Sequence, residues 1–310
     1  MKFGLQIPSF TWPGGPGAIG PTLARIVRTA DDAGFDSIWV MDHFFQIRGV
    51  GEPTEPMLEG WTTLGFMAAN SRRARLGLMV GGVHYRKPAL WVKAATTLDV
   101  LSGGRAWLGI GAAWNEEESR GLGFGFPPLG ERFVMLEETL RYAHDMWRGP
   151  RGTEAAFDGT HVQAGRLLNS PQSITRPHPP IMVGGGGEKK TLRLVALYAD
   201  ATNVFGDAER IRGKYAVLRE HCEAVGRPYE EIERSTLQSV RLSTDGAAGS
   251  WTPSRVVDSF GRLGEAGAQH VIVSVRSDEG VSGVEDVSKL ELLGRDVFPQ
   301  LRDRGSPAAP

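Results

Sequence analysis

Four consecutive glycines are the first feature of this sequence that could do chemistry. In IMVGGGGEKKTLRLVA, residues 181–196, an apolar run leads into Gly184, Gly185, Gly186 and Gly187, and a helix-like pattern follows. Glycines between a strand and a helix N-terminus expose backbone N–H groups beside the positive end of the helix dipole, which suits phosphate. The hydroxyl of Thr191, in the expected first turn, can reach the same anion. A tight turn alone would need one or two glycines, so the run favours phosphate binding.

Asp42 and His43 form the second candidate site. Histidine ionises near neutral pH, so His43 is a candidate proton donor, with a capping or packing role as the alternative. Neighbouring residues of a strand point to opposite faces, which makes Asp42 and His43 poor co-ligands for a metal. His84 could join His43, but two imidazoles without a carboxylate make a weak site, and we expect no metal.

Several other reaction classes lack the residues that they need. The sequence has no GxxxxGK[ST] phosphate loop and no GxSxG nucleophile motif, and Lys189 stands where a GxGxxG motif begun at Gly184 needs glycine. A glycosidase needs paired carboxylates, and only Asp42 lies clearly at a predicted strand end.

Eight short apolar runs have the length and composition of strands. They are Phe3–Pro8, Ser37–Asp42, Arg75–Val80, Ala106–Ile110, Pro180–Val183, Ala201–Phe205, Ser235–Leu242 and His270–Val275. Apolar residues recur at helical spacing between them, as in Ile211, Tyr215, Leu218 and Cys222. Eight strand–helix units predict an α/β fold of the (β/α)8 TIM-barrel type, with a doubly wound open sheet as the alternative.

The predicted barrel occupies one domain over residues 1–300. The long interval before the fifth strand predicts an insertion at about residues 148–179. Its segment 157–162 contains Asp-Gly between strand-forming residues, which suggests a small hairpin. We expect disorder in the tail, residues 301–310.

Composition narrows the class of partners. The net charge of −1 implies no general attraction to nucleic acid or to an anionic membrane. No apolar run approaches the roughly 18 residues of a membrane span, and the N-terminus has the pattern of a first strand rather than of a signal peptide. The single cysteine, Cys222, lies on an apolar stripe and rules out a disulfide framework, which fits a cytoplasmic location.

In a (β/α)8 barrel, the active site lies at the C-terminal ends of the strands. The corresponding segments of this sequence are rich in glycine and aromatic residues and poor in acids. Candidates for an apolar substrate pocket are Phe10, Trp12, Phe44, Trp61 and Trp114, with His84 at its rim.

Four blocks together resemble the luciferase-like monooxygenase superfamily, and within it the branch of coenzyme F420-dependent oxidoreductases. They are WVMDHFF, residues 39–45; the long block from Tyr85 to Glu118; FPPLGERFVMLEETL, residues 126–140; and PPIMVGGGGEKKTLRLVALYAD, residues 179–200. The resemblance covers about residues 1–240, and the long block is its most specific part.

The resemblance implies a luciferase-like barrel that binds a 5-deazaflavin or a flavin at its C-terminal face. It implies that His43 lies against the cofactor ring and assists hydride transfer, with Asp42 beside it. The residues at the end of the third strand, Met79, Val80 and Gly81, would form a bulge behind the ring, with a cis Met79–Val80 peptide. Asn115, Gly184–Gly187, Glu188 and Thr191 would complete the cofactor site, and the protein would be a homodimer.

The sequence departs from the family pattern in two places. Some deazaflavin dehydrogenases carry acidic proton donors where this chain has Pro8-Ser9 and Ala112-Ala113, so a sugar-phosphate dehydrogenase mechanism is doubtful. The arginine near position 112 that assists an FMN phosphate in luciferases is absent, which favours the deazaflavin. The alternatives are an FMN-dependent monooxygenase that uses reduced flavin and oxygen, and a non-catalytic flavin-binding protein.

Overall fold

Eight parallel strands close into a barrel in the computed structural model, which describes residues 1–243, 249–277 and 283–302. The barrel strands are β1 (Lys2–Ile7), β2 (Ser37–Val40), β3 (Arg75–Leu78), β4 (Ala106–Gly111), β5 (Ile181–Gly184), β6 (Ala201–Phe205), β7 (Glu233–Val240) and β8 (His270–Val275). Each pairs in parallel with the strands before and after it, and β8 pairs with β1. The predicted (β/α)8 barrel is therefore confirmed, and the open-sheet alternative is wrong.

Helices cover the outside of the barrel between successive strands. They are α1 (Pro16–Asp32), α2 (Gly60–Ala69), α3 (Pro88–Ser102), α4 (Glu116–Gly121), α5 (Leu129–Trp147), α6 (Thr191–Tyr198), α7 (Ala208–Val225), α8 (Pro253–Glu265), α9 (Ser288–Leu292) and α10 (Phe298–Arg302), with a π-helical turn at Leu293–Val297. None of the described helices is long and apolar enough to cross a bilayer. The predicted disordered tail lies outside the described residues from position 303 onward, while Leu301 and Arg302 end α10.

Side chains of the strands alternate between two hydrophobic layers. Ile38 and Val40 of β2 point outward into the large core beneath the helices. Trp39 between them belongs to a second cluster with Trp107 and Met182, from β4 and β5. The Trp39 and Trp107 rings make an edge contact with centroids 5.7 Å apart. This cluster fills the barrel interior, as the period of two along each strand requires.

The insertion before β5 contains the expected hairpin. Phe157–Asp158 and Gln163–Ala164 form two short antiparallel strands. The carboxylate of Glu138, on α5, accepts hydrogen bonds from the backbone N–H groups of Thr160 (2.5 Å) and His161 (2.9 Å). These contacts hold the hairpin turn against α5, close to the end of β3.

The end of β3 departs from regular strand structure. The Met79–Val80 peptide is cis, as the resemblance implies. The chain then resumes pairing, since Gly81 and Gly82 lie opposite Ile110 and Gly111 of β4. The bulge therefore sits between β3 and β4 at the C-terminal mouth of the barrel.

Candidate active site

His43 follows β2 at the C-terminal mouth and is held through one ring nitrogen. Its Nδ1 lies 2.8 Å from Oε2 of Glu118. An ionised carboxylate only accepts hydrogen bonds, so Nδ1 carries the proton of this contact. Nε2 makes no hydrogen bond to any described residue. The imidazole also makes an edge contact with the indole of Trp114, with ring centroids 5.6 Å apart.

Glu118 lies on α4 and is fully buried. Its carboxylate accepts hydrogen bonds from His43, from the Tyr85 hydroxyl (2.5 Å), and from the backbone N–H groups of Phe44 and Phe45 (2.7 Å for Phe45). Burial alone would raise the pKa of Glu118, but these donors outweigh it and lower the pKa. Glu118 is therefore a carboxylate at neutral pH. Burial and this carboxylate raise the pKa of Tyr85, which stays a protonated donor.

Asn115 explains why α4 begins where it does. It is the N-cap residue, and its side-chain oxygen accepts the backbone N–H of Glu118 at 3.3 Å. Its backbone carbonyl accepts the hydroxyl of Ser119 at 2.6 Å. The amide nitrogen of the Asn115 side chain donates no hydrogen bond within the described part of the chain. Asn115 therefore orients Glu118 and keeps a donor for a ligand.

Asp42, the residue before His43, lies in a buried ion pair. Its two oxygens accept hydrogen bonds from the guanidinium of Arg86 at 2.7 and 2.8 Å, and Arg86 also donates to Glu59 at 2.6 Å. Burial alone would lower the pKa of Arg86, but the two carboxylates outweigh it and raise the pKa. A Cβ on Gly81 would lie 3.0 Å from Oδ2 of Asp42. Asp42, predicted as a cofactor-binding residue, therefore packs behind the β3 bulge.

The β3 bulge and the glycine run come together. A Cβ on Gly184 would lie 2.7 Å from a methyl carbon of Val80, so glycine permits the contact. Gly185 has φ +118° and donates its N–H to the carbonyl of Asn203 at 3.0 Å. A Cβ on Gly187 would lie 2.8 Å from Oγ1 of Thr191. The geometry of the turn itself thus explains why three of these four positions are glycine.

The same loop keeps the features of an anion site. None of the backbone N–H groups from residue 186 to residue 190 donates a hydrogen bond to a described residue. They precede α6, whose first residue is the buried Thr191. Nζ of Lys214 lies 2.7 Å from the carboxylate of Glu188, and its Cε would be 3.6 Å from a Cβ on Gly186. The loop therefore combines free N–H groups, a helix N-terminus and a lysine.

The side chain of Glu188 forms an ion pair beside the glycine loop. Its exposed carboxylate pairs with Lys214, which lowers the pKa of Glu188. A carboxylate repels a phosphate, so the part of Glu188 that suits an anion is its backbone N–H. Its carbonyl accepts a hydrogen bond from Nε2 of His221 at 2.8 Å.

The substrate-pocket candidates fall into two groups. Phe44, His84 and Trp114 surround the Glu118 network, because Phe44 and His84 contact the Tyr85 ring and Trp114 contacts His43. Phe10, Trp12 and Trp61 have no ring contact with that group among the described residues. Phe10 and Trp12 pack on each other at 5.6 Å, and Trp61 packs on Trp91 at 6.1 Å. Trp114 is 62% exposed at the mouth.

The surroundings of His84 favour its neutral form. Its Nε2 lies 2.8 Å from the hydroxyl of Ser119, and its buried Nδ1 has no described partner. Burial, followed by the positive charge of Arg132, lowers the pKa of His84 to about 4. At neutral pH His84 is therefore a neutral imidazole, without the acidic proton of an imidazolium. No three His, Cys, Asp or Glu side chains converge as a metal site in the described ranges.

Four residues at this mouth were not predicted as site residues. They are Glu118, Tyr85, Arg86 and Lys214. The spacing Asn115-x-x-Glu118 is a local signal, since it places a cap three residues before an acid. That signal predicts a helix start and says nothing of a contact with His43.

Asp42→Asn is expected to destabilise the protein by about 3 kcal/mol, because it leaves the buried Arg86 without its bidentate partner. Asp32→Asn is the matched control. Asp32 pairs with Arg72 at 2.7 Å on the surface, where such a pair contributes about 0–1 kcal/mol. Urea unfolding at pH 7 measures both. An equal decrease in the free energy of unfolding in the two variants would contradict a structural role for the Asp42–Arg86 pair.

Comparison with known proteins agrees with this fold. The uncharacterized protein of Mycobacterium tuberculosis strain H37Rv is 32% identical over 194 residues, covering 58% of this chain and 66% of the relative. The F420-dependent glucose-6-phosphate dehydrogenase of Kineococcus radiotolerans is 32% identical over 228 residues, covering 72% of this chain and 64% of the relative. The chain thus spans just under two thirds of the length of these relatives.

The fold recurs in solved structures. The coenzyme F420-dependent tetrahydromethanopterin reductase from Methanopyrus kandleri superposes with a TM-score of 0.78 at 18% identity, over 96% of this chain and 98% of that one. At this identity the likeness concerns the fold alone. The family model described as luciferase-like monooxygenase matches residues 1–249. The chain belongs to the luciferase-like monooxygenase family.

Proposed function

We propose that the protein is an oxidoreductase that transfers a hydride between coenzyme F420, a 5-deazaflavin, and a small organic substrate at the C-terminal mouth of the barrel. The observation that carries the proposal is His43 at this mouth, held through Nδ1 by Glu118 and with no described hydrogen bond at Nε2. The relatives named as F420-dependent dehydrogenases support the choice of cofactor.

The described residues fit such a cofactor at three points. The free N–H groups of residues 186–190, with Lys214, suit a phosphate. The Met79–Val80 bulge, packed on Gly184, supplies a fixed wall for a planar ring. His43 supplies a group that can exchange a proton. When bound, a deazaflavin supplies the hydride, and the protein supplies orientation and the proton.

His43 is the proton-exchanging group of this proposal. With Nδ1 committed to Glu118, only Nε2 can donate a proton to the substrate or accept one from it. A polar double bond of the substrate is reduced when its carbon receives a hydride and its partner atom receives a proton. In the reverse direction, loss of the hydride and the proton forms the double bond again. His84 stays neutral at pH 7 and does not replace His43 as the donor.

Cofactor titration is the first test. F420 should bind at micromolar concentration and quench tryptophan fluorescence, and Trp114→Phe should remove much of the quenching, because Trp114 lies beside His43. Micromolar binding of FMN with no binding of F420 would replace the proposal by an FMN-dependent monooxygenase, which the family model also permits. Binding without any turnover would leave a non-catalytic flavin-binding protein.

The same titration tests whether the glycine loop binds a phosphate or only forms a turn. Lys214→Gln should weaken F420 binding about tenfold, since a charge-assisted hydrogen bond contributes about 1.5–3 kcal/mol. Arg212→Gln is the control, because Arg212 is an exposed cation on the same helix. Unchanged affinity in Lys214→Gln would leave the glycine run with a structural role alone.

His43→Ala should keep F420 binding and lower the single-turnover rate of hydride transfer by about 10²–10⁴-fold, the usual contribution of a positioned acid or base. Stopped-flow absorbance of the cofactor measures the rate. A rate equal to that of the parent protein would remove His43 from the reaction.

We also propose a homodimer, as the resemblance implies. Light scattering should then give twice the chain mass of 33.6 kDa. A mass of one chain across the micromolar range would overturn this.

A further inference from the structure

We propose that Glu118 is the positioning residue for proton exchange at His43, and that it acts through its negative charge as well as its geometry. The inference rests on the proposed role of His43. It concerns a carboxylate that comes from α4 and lies 75 positions along the chain from His43.

The geometry ties the carboxylate to three consecutive residues of one loop. Oε2 takes the Nδ1 proton of His43, and Oε1 takes the backbone N–H groups of Phe44 and Phe45. The carboxylate therefore cannot shift without moving the backbone that carries the imidazole. The indole of Trp114 packs against the ring edge and limits its rotation. Both contacts fix the direction of Nε2.

Charge gives the pair a second role. An adjacent carboxylate stabilises imidazolium relative to imidazole, so it favours a histidine that holds a proton for donation. Tyr85 donates to the same oxygen that holds His43, at 2.5 Å. A hydrogen bond to a carboxylate draws off part of its charge. Tyr85 should therefore weaken the effect of Glu118 on His43.

Other charges near His43 are already balanced. Asp42 precedes it in sequence but is neutralised by Arg86, which also pairs with Glu59. His84 is neutral at pH 7 because burial lowers its pKa to about 4. Among the described groups, the charge that contacts the imidazole directly is the Glu118 carboxylate.

Two variants should move the titration of His43 in opposite directions. In NMR titrations of the full chain, Glu118→Gln should lower the titration midpoint of the His43 ring, because the neighbouring negative charge is lost. Tyr85→Phe should raise it, because the carboxylate regains the charge that the hydroxyl draws off. Comparison with His43→Gln identifies the His43 signal among the seven histidines. A packing role alone would not give shifts of opposite sign.

Single-turnover kinetics provide the second readout. The midpoint of the pH–rate profile for hydride transfer should move in the same direction as the NMR midpoint. It should fall in Glu118→Gln and rise in Tyr85→Phe. The affinity for F420 should stay unchanged within about threefold. Glu117→Gln is the matched control, since Glu117 is a neighbouring glutamate of α4 whose side chain is 67% exposed. It should leave the midpoint and the rate as they are.

The outcomes separate this inference from the function on which it rests. If His43→Ala keeps the full rate, the role of His43 fails, whatever the titrations show. If His43→Ala loses the rate while Glu118→Gln and Tyr85→Phe leave the midpoint unmoved, the inference about Glu118 is overturned. Glu118→Gln places an amide N–H₂ among four donors and could prevent folding. In that case the Tyr85→Phe variant provides the test. A rise of its His43 titration midpoint supports the inference, and the absence of that rise refutes it.

Discussion

The buried carboxylate of Glu118 is the contact on which the C-terminal mouth of the barrel depends. It joins the loop after β2, through His43 and two backbone N–H groups, to Tyr85 after β3 and to α4 after β4. Moving a carboxylate out of water costs several kcal/mol, and here four donors offset that cost. Loss of the carboxylate would leave those donors unpaired inside the protein. The positions of three strand-end loops are therefore set by one side chain.

A second ionic cluster supports the first without sharing its role. Asp42, Arg86 and Glu59 connect the end of β2, the turn after β3 and the start of α2. Asp42 and His43 are adjacent just after β2, but their side chains have different partners, Arg86 and Glu118. One carboxylate thus supports the wall behind Gly81, and the other holds the imidazole. This separation lets the Asp42–Arg86 ion pair lie beside the His43–Glu118 pair, for which we propose proton exchange.

Three glycines of the run meet steric requirements of the turn, and the fourth lies beside a lysine. Gly184 permits the contact with Val80, Gly185 adopts a left-handed conformation, and Gly187 makes room for Thr191. Gly186 has no such requirement, and it lies against Lys214. The turn leaves the backbone N–H groups of residues 186–190 without an acceptor among the described residues, and the proposed anion site rests on this feature.

The sequence by itself determined the strand–helix units from which the barrel is built. β6 and β8 begin and end where the apolar pattern predicts, because burial on a sheet of period two is recorded in neighbouring residues. The sequence also placed His43 and the glycine run at strand ends. The tertiary structure alone decided that Glu118 meets His43 and that Lys214 meets the glycine loop. Those contacts join loops that are distant along the chain, and only closure of the barrel brings them within hydrogen-bonding distance.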